Sequence, residues 1–363
     1  MSSRSTTEQV PQVTLYVDAD QDLRHTSYVY TGLFHLAHQK RIALRVRYPS
    51  PGERQKSVRG SLLAQVEIRH SESGKAIPAC FDLRDQSYIF YPSALEHCSI
   101  YFKRSYHELD VESLSEDVRS RVRPFGLTYP CSDLRSYPVL ARAVARAAFR
   151  AVGRPKELLS WPYKLLDYGR LPGPADFEHS SAASKEPVIV FQPRLWEQSE
   201  LVGECAATIN EQRIEMVVEL RRAFGERFCG GLVPTPLARE RYPELVSSIH
   251  PRSYPQLARR SLIGVYTRGL HHSTAWKLGE YFAASMCVVA EPVRNELPAP
   301  LQADRHYLPF ASAAGCVDAC ARILDDPERQ QRMRVAAYEY FMQEVRPAAR
   351  LLRCIEQVRQ LAA

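Results

Sequence analysis

No run of apolar residues in this chain approaches the length of a bilayer span, which takes about 20 residues, so no membrane-spanning helix is expected. The first nine residues, Met1 to Gln9, are polar and lack the apolar stretch of a signal peptide. Residues 1–10 therefore read as a disordered tail. No internal repeat of fixed period is visible. Cysteine is present at nine positions, but never in the doubled pairs of a structural zinc site. Only Cys316 and Cys320 stand close together, and no second pair completes them. Cysteines inside apolar runs behave as small hydrophobes, and a reduced, cytoplasmic setting is expected. Charge is not extreme either. Forty-eight basic residues against 41 acidic ones leave +7 over 363 residues, a mild excess that suits anionic ligands or surfaces. No aromatic platform or groove-reading module accompanies it, so nucleic acid is not the expected partner.

What remains is an ordinary globular composition, 45% hydrophobic and 25% charged, in a chain too long for one core, which predicts two domains. Short apolar runs at Val13–Val17, Ile42–Val46, Leu62–Ile68, Pro78–Leu83, Cys98–Phe102 and Arg123–Leu127 read as strands, with a helical pattern over Tyr28–His38. Arg47–Gly60 reads as a surface loop. Strands alternating with helices predict an α/β fold with mostly parallel, doubly wound sheets. A helix over Val139–Val152 carries Arg142, Arg146, Arg150 and Arg154 at i+4 spacing, with Trp161 and Tyr163 nearby. That stripe suits a solvated face first and an anionic membrane surface second. Leu171–Glu186, rich in Gly, Pro, Ala and Ser, reads as a linker. The strand–helix rhythm then restarts at Pro187–Phe191, followed by a long helix over Ile209–Phe224, strands at Leu262–Val265, Met286–Ala290 and His306–Phe310, and terminal helices punctuated by Pro327 and Pro347.

Between the second-half strands Leu262–Val265 and Met286–Ala290 lies a loop that core packing does not explain. It holds Thr267, Arg268, His271, His272, Ser273, Thr274 and Lys277, with Glu280 on the following helix. Loops at the carboxyl ends of α/β strands are where ligands sit. Ser273 and Thr274 suit ligand contact or capping of a helix entered at Ala275. Lys277 offers a point charge to a phosphate, and Glu280 a carboxylate to vicinal hydroxyls. Arg194, after an earlier strand, suits bidentate binding of a diphosphate. In the first half, Asp18, Asp20 and His25 follow the first strand, where Asp20 or His25 could take the proton of an acceptor hydroxyl. A helix cap and a surface histidine fit those residues equally well. Asp82 and Asp85, and Lys103, Arg104 and Tyr106, close two further strands and are candidate acceptor contacts.

Trp276–Ser285 together with Cys287–Pro292 resembles the donor-binding segment of bacterial GT-B glycosyltransferases of the "glycosyl transferases group 1" type, which include the spore-maturation glycosyltransferase-like group. Ser99–Tyr106 with Pro124-Phe125-Gly126, and Phe191–Trp196, are similar to further parts of the same pattern. The resemblance implies two Rossmann-like domains facing a cleft: an acceptor domain over residues 11–175 and a nucleotide-sugar domain over 176–345. A last helix over 346–363 would return to the first domain. It further implies transfer of a sugar from a UDP- or GDP-sugar to a glycan, lipid or small-molecule hydroxyl, without a metal or other cofactor. Glu280 would bind the ribose; Arg194, Arg268, Ser273, Thr274 and Lys277 would hold the rest of the donor, and His272 would join Asp20 and His25 at the reaction centre. Two departures stand out. Ser273 occupies the place, seven residues before Glu280, where many retaining enzymes carry an acid, and no lysine accompanies Arg194. Retention of configuration is the expected outcome, though the missing acid leaves it open. An epimerase or hydrolase on the same fold, or a non-catalytic binding protein, is the competing reading.

Overall fold

The computed structural model describes residues 10–18, 21–48, 61–69, 74–150, 155–197 and 205–361. Residues 1–9 of the expected tail, Asp20, most of the Arg47–Gly60 loop and Arg154 of the basic stripe lie outside them. The first sheet contains β1 (Gln12–Tyr16), β2 (Ala43–Arg47), β3 (Leu63–Arg69), β4 (Ala76–Asp82), β5 (Ile100–Lys103) and β6 (Val122–Pro124), in the order β2-β1-β3-β4-β5-β6. It departs from the parallel expectation at β3, which runs antiparallel to both β1 and β4. Only six residues separate β3 from β4, and a parallel crossover needs about a dozen, so the pair closes as a hairpin.

The second sheet contains β7 (Glu186–Phe191), β8 (Phe228–Gly230), β9 (Ser261–Tyr266), β10 (Cys287–Ala290) and β11 (Leu308–Pro309), in the order β11-β10-β9-β7-β8. Every pairing in it is parallel. The chain leaves β7 toward β8 and then crosses to β9 on the other side. The β7/β9 boundary is therefore a topological switch point, where adjacent loops diverge and open a crevice at the carboxyl edge. Strands β9 and β10 are buried at every residue, as strands covered on both faces must be.

The two α/β units are joined by packing as well as by chain. One apolar cluster runs from Val13, Phe81 and Phe102 under the first sheet through Tyr129 and Phe177 to Tyr281, Met286 and Val288 of the second unit. The segment read as a linker is part of this join. Phe177 is buried, and the His179 backbone N–H donates to the Ala283 carbonyl at 3.0 Å. Helix Pro347–Gln360 lies along helix Leu23–His38 of the first unit. Gly32 permits that approach, because a Cβ there would stand 2.7 Å from the Pro347 carbonyl and 3.0 Å from Leu351. Arg350, buried to 1% exposure, donates to the carbonyls of Phe125 at 2.7 Å and Pro124 at 3.0 Å. Among the described residues, no helix is long and apolar enough to cross a membrane.

Candidate functional site

The carboxyl edges of the two sheets face each other. Tyr88 after β4 places its Oη 3.3 Å from His271 Nδ1 after β9. Arg104, just beyond β5, donates from Nη2 to the Thr274 carbonyl at 2.5 Å, and its Nη1 pairs with Asp85. His107 Nε2 accepts from Arg294 Nε at 3.2 Å, and the Tyr106 carbonyl accepts from the Glu296 N–H at 3.0 Å. His25 stands edge-on to Trp276 at 4.9 Å between ring centroids. The guanidinium groups of Arg24 and Arg104 lie 5.9 and 5.8 Å from the same ring.

Arg213 organises the switch point. It sits on helix Cys205–Phe224 among the apolar positions Ile209, Met216, Val217 and Leu220, and is only 4% exposed. Its Nη1 donates to the Arg194 carbonyl at 2.5 Å and its Nη2 to the Arg268 carbonyl at 2.7 Å, while Nε reaches Thr267 Oγ1 at 3.3 Å. One side chain thus ties the loops after β7 and β9. Burial pushes its pKa down to about 10, against the pull of Glu291. Glu291, just past β10, accepts from the Arg268 backbone N–H at 2.8 Å and from Gln212 at 3.1 Å, and it pairs with the Arg268 guanidinium. Two donors beside this network, Arg268 Nε and Trp196 Nε1, are buried without a partner among the described residues. The exposed Arg194 holds its guanidinium 4.7 Å from the Trp196 ring.

The loop after β9 is held by its own backbone. The Gly269 N–H donates to the Ser273 carbonyl at 2.9 Å, and the Ser273 N–H to the Leu270 carbonyl at 3.0 Å. His271 and His272 both adopt φ of 56°, a left-handed conformation that side chains occupy at a cost. Ser273 and Thr274 are buried, and Thr274 Oγ1 accepts from Asn295 at 3.1 Å. Neither caps the helix. It begins at Lys277, two residues later than expected, with Trp276 at the cap position and no side-chain cap bond. Lys277 Nζ lies 2.8 Å from Glu280 Oε2 and 3.3 Å from the Tyr254 ring centroid. Burial lowers the Lys277 pKa, opposed by Glu280. Burial, then Arg294 and Arg268, lower that of His272, which favours the neutral ring.

On the first unit, helix Leu23–His38 starts five residues earlier than its apolar periodicity indicated, because Asp22 caps it by accepting from the N–H groups of Arg24 at 2.9 Å and His25 at 3.0 Å. His25 Nδ1 lies 3.2 Å from Asp22 Oδ1. Burial works to raise the Asp22 pKa, but His25 and these N–H groups outweigh it and hold it at about 2. Asp18 is half-buried at the same edge. The five residues expected to meet an acceptor are placed very differently, with Asp85 paired to Arg104 and partly exposed. Asp82 and Lys103 have no exposed side-chain surface. Lys103 Nζ donates to Asp82 Oδ2 and to the Ile89 carbonyl, each at 2.8 Å, and Tyr101 Oη also donates to Asp82 Oδ2, at 2.6 Å. Arg104 is 3% exposed and bridges the units, while Tyr106 keeps some exposed surface. Residues that the sequence reading passed over are Asp22, Arg213, Trp276 and Asn295, and Glu291 as a partner of Arg268.

Residues 213–356 match the model of a family described as glycosyl transferase-like. None of the curated proteins compared matches the chain. Several solved structures are similar at low identity. A glycosyltransferase from Rickettsia africae ESF-5 is 12% identical, with 73% of this chain and 64% of that one covered and a TM-score of 0.41. Anabaena Alr3699/HepE in complex with UDP is 12% identical, with 96% and 99% covered and a TM-score of 0.37. UDP-GlcNAc 2-epimerase from Neisseria meningitidis bound to UDP-GlcNAc is 12% identical, with 75% and 64% covered and a TM-score of 0.36. Likenesses this distant carry no information on chemistry.

Proposed function

We propose that the protein transfers a sugar from a nucleoside-diphosphate sugar, with UDP or GDP as the nucleotide, to an acceptor hydroxyl in the crevice where the two carboxyl edges meet. The observation that carries this reading is a pair of buried N–H donors beside the β7/β9 switch point, Arg268 Nε and Trp196 Nε1, that have no partner among the described residues. Buried donors are seldom left unsatisfied, and a phosphate oxygen supplies what both lack. The glycosyl transferase-like match over residues 213–356 covers the loop after β9, with Arg268, but begins beyond Trp196.

In the step envisaged, the acceptor oxygen bonds to the anomeric carbon. The bond from that carbon to the diphosphate oxygen breaks, and its electron pair leaves with the nucleoside diphosphate. Arg268, Arg194 and Lys277 would balance the charge that develops there. Glu280 would accept from the ribose hydroxyls. Lys277 engages Oε2, and a carboxylate accepts about four hydrogen bonds in all. His25, with the Asp22 carboxylate 3.2 Å from its Nδ1, would receive the acceptor proton, and the neutral His272 would hydrogen-bond the transferred sugar. Tyr106 and Asp85 remain the acceptor-side contacts with accessible surface.

Thermal shift against a panel of UDP-, GDP- and TDP-sugars should reveal one stabilising donor, and Glu280→Gln should diminish its effect. No shift from any donor at millimolar concentration would sink the reading. Incubation with the stabilising donor alone, followed by chromatography of the sugar, separates the alternatives: an epimerised sugar in the absence of acceptor rules out transfer as the primary activity.

A further inference from the structure

Nearly all of the chain's excess charge sits in one segment. Residues 134–170 hold eight basic residues against two acidic ones, a net of +6, out of +7 for the whole chain. The same segment carries four of the ten large hydrophobic side chains exposed among the described residues, namely Leu134 at 69%, Tyr137 at 36%, Tyr163 at 75% and Leu166 at 47%. Single exposed apolar residues need no explanation, but a cluster inside a basic segment does.

The fold brings the four apolar groups onto neighbouring elements. Leu134 belongs to a short turn that leads into helix Tyr137–Arg150, and Tyr163 and Leu166 lie on helix Pro155–Gly169, which packs beside it. The Tyr137 ring lies against Gly169, where a Cβ would stand 3.1 Å away. Tyr163 and Leu166 are exposed and three residues apart, on one face of their helix, and Arg170, just past its end, is exposed too. Arg142, on the neighbouring helix, is also exposed. The segment is anchored to the cleft side of the first unit: Arg24 pairs with Asp167 at 3.2 Å, and Lys164 Nζ donates to the Gln21 carbonyl at 3.2 Å.

We propose that this face docks on an anionic lipid surface. Basic side chains would meet the headgroups while Leu134, Tyr137, Tyr163 and Leu166 enter the headgroup–acyl boundary, the combination by which amphipathic surfaces bind such membranes. A nucleic acid would answer the charge, but it would gain little from the two leucines. The inference stands apart from the sugar-transfer reading, since it uses none of the crevice residues.

The experiment is co-sedimentation of the full chain with phosphatidylcholine vesicles, with and without about one-third phosphatidylglycerol, at low and high salt. Binding is expected only with phosphatidylglycerol, weakened by salt. The double variant Tyr163→Ser with Leu166→Ser should bind about tenfold more weakly at an unchanged melting temperature. Leu134→Ser, on the separate turn, should weaken binding independently. Three results would overturn the proposal: no binding to the anionic vesicles, vesicle binding untouched by the apolar variants, or duplex DNA and vesicles lost equally with Arg142→Glu while the apolar variants bind as the parent does.

Discussion

Arg104 reaches across the cleft and donates from Nη2 to the carbonyl of Thr274 at 2.5 Å, so a side chain beyond the last residue of β5 holds the loop that follows β9. Arg104→Ala removes this bond and the pairing with Asp85. The expected loss is about 2 kcal/mol of stability, together with roughly tenfold weaker nucleotide binding because the loop is no longer braced. Denaturation and calorimetric titration with UDP read the two effects separately, and undiminished affinity in the destabilised variant would show that the brace is structural alone.

Arg213→Met retains most of the side-chain length and strips the buried donors from the carbonyls of Arg194 and Arg268. Buried polar groups left unpaired make this costly, and about 3 kcal/mol is expected, read as a lower urea midpoint at unchanged slope. A change near zero would mean that the two loops hold each other without it.

His179 should make the protein acid-sensitive. Burial first, then Lys185, Arg259 and Arg334, lower its pKa from 6.5 to about 4. Between those values the unfolded chain binds a proton that the folded chain refuses, so stability falls as pH drops through that window. His179→Gln should flatten the dependence between pH 6.5 and 4 relative to the parent. Parallel curves for the two proteins would assign the acid sensitivity elsewhere.

Gly32→Val would push a branched side chain into the Pro347 carbonyl and Leu351. Overpacking of this kind costs about 2 kcal/mol, seen as a lower melting temperature. Equal melting temperatures for parent and Gly32→Val would contradict the close approach of the two helices.

The sequence conveyed the strands and the polar loop well, because both depend on local patterns. Runs such as Leu262–Val265 are apolar wherever they pair, and a loop holding Arg268, two histidines and Lys277 cannot be buried whole. Strand direction was harder. The alternation in β3 is the same whichever way it runs, and only the short link to β4 distinguishes the two. Asp82 and Lys103 looked like cleft residues because each ends a strand, but β5 is buried at every position, and its last residue is enclosed with the rest. Arg213 was hidden for the opposite reason. An arginine in a long helix reads as surface, and the signal against that was its place between Ile209 and Met216 on the apolar face. Asp22 lay outside the helix that periodicity traced, so its cap and its proximity to His25 went unseen.

Tyr28 donates to the Val345 carbonyl at 2.7 Å across 317 residues of chain, and the helix that follows Val345 covers the helix bearing Tyr28. Synthesis runs from the amino end, so the unit begun first is finished last. On the ribosome, the face of the Tyr28 helix at Gly32 would wait, uncovered, for Pro347 and Leu351 to emerge. We therefore expect nascent chains arrested before residue 346 to be cut by protease within helix Leu23–His38 and to be held by chaperones, while full-length released chains resist. Equal resistance of both would show that the first unit closes without its final helix.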